Sequence, residues 1–312
     1  MALPANLELA AYGERRRTSL ARLYLEHERL AIGGGTLVAV LLLWEALGRS
    51  GLVDPLFISS PTQVAQAGWQ LSHDRDFWND VEVSATEFIL GYGAALALAI
   101  PLGLAVGLSK RLQYMIGPFV DTLNAVPRVT LLPLIIIWFG IGIWSKVVVV
   151  FLGAVIPILI NTQSGVKTSE ARFMRVARSF CASRAKIFSS IILPGTVPFI
   201  FTGLKYGAGR ALLGVVVGEL YASTAGLGHM IADAGNTFQT DIVFFGVLVF
   251  MATGLIVVAL LDAVERRNGG RIRADHDGRG GWRAQRHELD RSHARSKRRD
   301  ANAGDLALVS RP

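Results

Sequence analysis

Few side chains in this sequence have a type and spacing that could do chemistry, and those few set charge among apolar neighbours. Arg210 lies twelve residues into an apolar run that opens at Pro198. At about 1.5 Å per residue, that depth is near the middle of a bilayer. An arginine there costs about 2.5–3.5 kcal/mol on insertion scales, so it must face a cavity or a partner. Two readings fit: a cation on the path of an anion, or a structural ion pair or snorkelling side chain. Glu219 closes the same run, where it either shapes an outer gate or ends a helix in solvent. Asp121, Asn124 and Arg128 are spaced i, i+3, i+7, so in one helix they share a face. They line the mouth of a path or form the wet side of an interfacial helix. No catalytic constellation appears. The six histidines are scattered, the single cysteine rules out an intrachain disulfide framework, and no cysteine–histidine spacing suits zinc. A Gly-x-x-x-x-Gly-Lys-Ser/Thr phosphate loop is missing too, which excludes a nucleotide-binding subunit. No catalytic residue, metal or cofactor is expected.

The elements that must hold these residues are apolar. Of 312 residues 51% are hydrophobic and 33 are glycine, and the mean hydropathy is +0.41. A bilayer core takes about 20 apolar residues, and runs of that kind cover 31–47, 88–108, 198–220 and 244–264. The stretch 129–160 is too long for one helix and is interrupted at 139–146, so it is expected to be a third and a fourth helix. The first run starts too deep in the chain, with no good small-residue cleavage site, to read as a signal peptide. The glycine pairs Gly103/Gly107, Gly203/Gly207 and Gly214/Gly218 mark faces where helix backbones pack closely.

Charge supplies the topology. The net charge is +8, with 13 basic and 7 acidic residues in the segment 265–312 alone. That tail has too little apolar surface to fold and is expected to be disordered. With no folded basic face, nucleic acid is not an expected partner. Segments 109–111, 161–195 and 265–267 are basic, whereas 48–87 holds two basic and six acidic residues and 218–243 holds three acids without lysine or arginine. Six helices with both termini in the cytoplasm put every basic segment inside. The expected organisation is a cytoplasmic segment 1–29, a six-helix membrane domain 30–264 and the tail 265–312.

Within that domain, 161–195 is a polar, basic segment that reads as helix. Phe173, Val176, Ala177 and Phe180 recur at helical spacing. Ser183 can cap a second short helix, and Pro194 is expected to stop it. Two short amphipathic helices joined by a bend result, lying on lipid headgroups or projecting as a knob.

Here the pattern becomes specific. Arg175-Val-Ala, three residues, Cys181, nine residues, then Ile191-Ile-Leu-Pro194 resembles the E-A-A-x3-G-x9-I-x-L-P loop of ABC importer permeases. Ser60-Pro-Thr-Gln-Val64, Ala125-Val-Pro127, Leu132-Pro-Leu-Ile-Ile-Ile-Trp-Phe-Gly140, Gly203-Leu-Lys205, Gly218-Glu219 and Gly226-Leu-Gly228 extend the likeness, which is to the nitrate/sulfonate/taurine branch of binding-protein-dependent permeases. The resemblance implies an all-α membrane protein of the type I ABC importer permease fold, in the bacterial inner membrane. It implies alternating access driven by cytoplasmic ABC ATPase subunits, a periplasmic solute-binding protein and a second permease subunit, most simply a copy of this chain. Arg175, Ala177, Arg178, Cys181, Ala182, Ser183, Ile191, Leu193 and Pro194 are then the ATPase-coupling residues, and Arg210 suits the anions of this branch. Arg175 and Val176 replace the family's glutamate and alanine. Cys181 replaces a glycine expected where a bend needs positive φ, so either the docking geometry differs or Cys181 is a small buried apolar residue. The rival class, a secondary transporter or channel working without ATP, predicts repeated halves with broken helices, and no internal repeat is found.

Overall fold

The computed structural model describes residues 32–52, 54, 56–179 and 183–273, with no side-chain description for 170–179, 184, 222 and 268–273. Every element among them is helical. The first helix, α1, is Ile32–Arg49. It is followed by α2 (Pro61–Leu71), α3 (Arg75–Leu108), α4 (Lys110–Ala125), a 3-10 turn (Arg128–Leu131) and α5 (Leu132–Phe139). Then come α6 (Ile143–Ser179), α7 (Arg184–Ile187), a π-turn (Phe188–Ile192), α8 (Leu193–Ala222), α9 (Leu227–Asn236) and α10 (Thr240–Arg273).

Five helices are long and apolar enough to cross a membrane: α1, α3, α6, the run Ala185–Tyr221 and α10. A sixth crossing exists only if α4 and the segment Arg128–Phe139 are taken as one broken span. This corrects the expected third helix. Alone, α5 has 8 residues, about 12 Å, which is too short for a bilayer core of about 30 Å. Pro127 makes the break: it is extended at φ −62° and ψ 111°, lacks an amide hydrogen and disfavours helix in the residue before it.

The expected loop 161–195 is corrected as well. Its first half continues α6, which runs 37 residues to Ser179, about 55 Å. Pro194 does not stop a helix but is the second residue of α8. The Leu193 amide reaches back to Phe188 O, and the wider π-turn takes up the break that the proline imposes. Ser183 caps α7 as expected, its Oγ accepting from the Lys186 amide at 3.4 Å.

The chain divides into two compact units, one of residues up to 95, 125–154 and 208–255, the other of 96–124, 155–207 and 256 onward. Each packs around its own stretch of α6. In the first, Val147, Val149, Val150 and Ala154 are buried, and Val149 packs with Leu132 and Ile135 of α5. In the second, Val166 joins Ile187 and Ile192, with Leu104 against them. In the first unit α3 passes so close to α6 that a Cβ on Gly91 would lie 2.7 Å from Val147 O, whereas Gly93 has nothing within 4 Å. The outer flank of α10 stays apolar and exposed at Val247, Leu248, Met251 and Leu255, as a lipid-facing helix requires.

The two α3 glycines make a controlled test. Gly91→Leu should lower the thermal unfolding temperature in detergent by the equivalent of about 1–3 kcal/mol. Gly93→Leu should be neutral or gain up to about 1 kcal/mol of helix propensity. Equal loss in both would contradict the α3–α6 crossing.

Candidate functional site

Arg128 and Arg210 come together in the first unit. Pro157 has no amide hydrogen, so the Gly153 carbonyl four residues before it in α6 lacks its usual helical donor. Arg128 supplies one, Nη1 donating to Gly153 O at 3.3 Å. The other side of Gly153 faces α8: a Cβ there would lie 2.8 Å from Arg210 O, so only glycine permits the approach. Gly153 thus meets the Arg128 guanidinium on one side and the Arg210 backbone on the other, and the two arginine charges act on each other. Arg128 is half-buried and Arg210 exposed. Among the described residues neither makes an ion pair with a carboxylate. Two guanidinium groups, one on α8 and one on the 3-10 turn before α5, form a local positive field that a small anion would relieve.

Asp121 and Asn124 belong to the other unit. Both are exposed on α4, which ends at Ala125, and Arg128 begins the separate 3-10 turn. The face expected to carry all three residues therefore does not exist, because Pro127 interrupts it.

Glu219 closes α8 in its last turn as expected, but it is not solvated. It is 1% exposed and accepts from Ser84 Oγ at 2.5 Å and from the Gly228 amide at 2.6 Å. Ser84 in turn accepts from the Leu227 amide at 2.9 Å, and Asp80 Oδ1 accepts from the Gly226 amide at 2.7 Å. Gly226 has φ 118°, and a Cβ there would overlap the Glu219 carboxylate. Beside this lattice Lys146 Nζ lies 2.6 Å from Glu87 Oε1 and donates to Ser223 Oγ at 2.7 Å. Three consecutive amides at the start of α9 are thus held by side chains of α3 and α8. Asp80, Ser84, Glu87 and Lys146 were missed from the sequence. Glu87 and Lys146 each sit immediately before an apolar run, and that position was the available signal that they go inside with it.

In the coupling segment, Ile191, Leu193 and Pro194 are half-buried and Ser183 is exposed. Arg175, Ala177 and Arg178 lie on the backbone of α6, but their side chains fall outside the described residues, as do Cys181 and Ala182 altogether.

Long apolar helices holding paired charge in their interior define a multi-pass helical membrane protein. Residues 99–270 match the family of the binding-protein-dependent transport system inner membrane component, and the chain belongs to that permease family. The taurine transport system permease protein TauC of Escherichia coli is 36% identical over 75% of this chain and 86% of its own length. The putative aliphatic sulfonates transport permease protein SsuC of Bacillus subtilis is 31% identical over 73% of this chain and 83% of its own. Its namesake in Escherichia coli is 29% identical over 73% and 87%.

Ser84→Ala removes a donor from Glu219 and an acceptor from Leu227 in one step. Stability should fall by about 1–3 kcal/mol, the cost of stranding buried polar groups. Thermal unfolding in detergent reads this, and an unchanged midpoint would mean that the hydroxyl bonds do not hold α9.

Proposed function

We propose that this permease is the membrane subunit of a type I ABC importer for a small sulfonate-type anion, and that Arg128 and Arg210 stand on the anion's path. The observation that carries this reading is the approach of Arg128 and the Arg210 backbone at Gly153, with no carboxylate paired to either arginine among the described residues. Taurine and alkanesulfonates, the solutes in the relatives' names, present a compact anionic oxygen cluster that a guanidinium fork matches. Two copies of the chain form the path, a periplasmic binding protein delivers the solute, and cytoplasmic ATPase subunits hydrolyse the ATP. Those subunits dock on the segment 161–195 and bias the membrane domain by holding that segment differently with and without nucleotide. Both termini face the cytoplasm in the inner membrane.

Reconstitution with the ATPase and binding protein tests the path. Arg128→Gln with Arg210→Gln should cut taurine or alkanesulfonate uptake about tenfold or more, the worth of one charge-assisted bond, while ATP hydrolysis without solute persists. Unchanged uptake removes the arginines from the path. The single natural cysteine tests the docking surface. A membrane-impermeant maleimide should label Cys181 in inside-out but not right-side-out vesicles, and bound ATPase should protect it. Labelling from the outer side would invert the topology.

A further inference from the structure

Two buried carboxyl groups in the first unit share one cation. Glu87 of α3 is 0% exposed, Glu219 of α8 is 1% exposed, and among the described residues Lys146 of α6 is the one buried ammonium beside them. Lys146 Nζ touches Glu87 Oε1 at 2.6 Å, and its charge also reaches Glu219. Glu87 lies one turn along α3 from Ser84, whose Oγ donates to Glu219, so the two carboxyl groups belong to one buried cluster around Lys146. Ser84 and the Gly228 amide both spend their protons on Glu219. Apart from the Lys146 contact, no donor among the described residues serves Glu87, and neither of its oxygens is satisfied by a well-aligned hydrogen bond. The remaining charged groups nearby belong to the neighbourhood of Asp80, where Asp76 of α3 and His229 and Asp233 of α9 act. His229 there pairs with Asp233 at 3.5 Å.

Two acids and one ammonium in a site closed to water balance only with one more positive charge, and a proton on one carboxyl supplies it. We infer that Glu87 and Glu219 form a proton-binding site, and that the proton they share latches α9 onto α3 and α8. The proton belongs to the pair rather than to either residue.

The latch follows from the bonds around it. Glu219 holds the Gly228 amide with one oxygen and Ser84 with the other, and Ser84 holds the Leu227 amide. When the O–H bond breaks and the proton leaves to water, two negative carboxylates are left in one dry site with a single ammonium. The repulsion is relieved by moving Glu219 from Glu87, which releases Ser84 and the first amides of α9. The latch is therefore closed while the proton is bound and opens as pH rises past its release.

Full-length protein in lipid nanodiscs tests this directly. Its infrared spectrum at neutral pH should contain the C=O stretch of a neutral carboxylic acid. That band should shift in heavy water, fade at alkaline pH, and be lost in both Glu87→Gln and Glu219→Gln. Hydrogen–deuterium exchange across 226–236, compared at matched pH, should show wild type losing protection at alkaline pH beyond the intrinsic rise. Glu87→Gln, whose amide stays neutral at every pH, should not show that loss, and His229→Asn should leave it unchanged. A wild-type spectrum without the band, or a band that survives both glutamine variants, overturns the proposal even if neither variant yields exchange data. So does alkaline loss of protection in Glu87→Gln equal to that of wild type.

Discussion

Everything in the first unit is arranged around an ammonium and a carboxylate that water does not reach. Lys146 and Glu87 are 5% and 0% exposed, and leaving either one alone would cost about 3–5 kcal/mol. That penalty fixes α3 against α6 at one register. The same lysine donates to Ser223 just beyond α8, so three parts of the chain must meet at a single nitrogen. The helix crossings around it are close: Gly91 and Gly214 both sit against Val150, where a Cβ would overlap α6.

Apolar length, the sorting of charge along the chain and the family motifs were legible in the sequence, since each is a property of composition or local spacing. The positions of breaks were less so. Val129–Ile160 looked like two ordinary helices because hydropathy does not register that Pro127 ends α4 and leaves α5 only 8 residues. The segment 161–195 looked like a separate loop because its polarity changes at Asn161, yet a helix needs no apolar residues to continue once it is nucleated.

The candidate site was partly legible for a related reason. Arg210 stood out because a cation inside an apolar run is expensive wherever it points. Its relation to Arg128 depends on a carbonyl freed by Pro157 and on the bare Cα of Gly153, two features of a third helix that no spacing rule connects to either arginine. Glu219 reads from the sequence as either an outer gate or a wet helix end; it is at the helix end, but dry. Its burial depends on Gly226 at φ 118°, a backbone turn that lets α9 fold back over it.

The 37-residue run of α6 has a mechanical consequence. A helix hardly compresses along its axis, so a push on the end near Ser179 tilts the rod instead of shortening it. Such a rod bends most easily where a rung of its ladder is absent, and in α6 that place is Pro157. The carbonyl this proline frees is the one Arg128 holds. Flexing there would change the reach of that guanidinium, so the bend and the charge would move as one part.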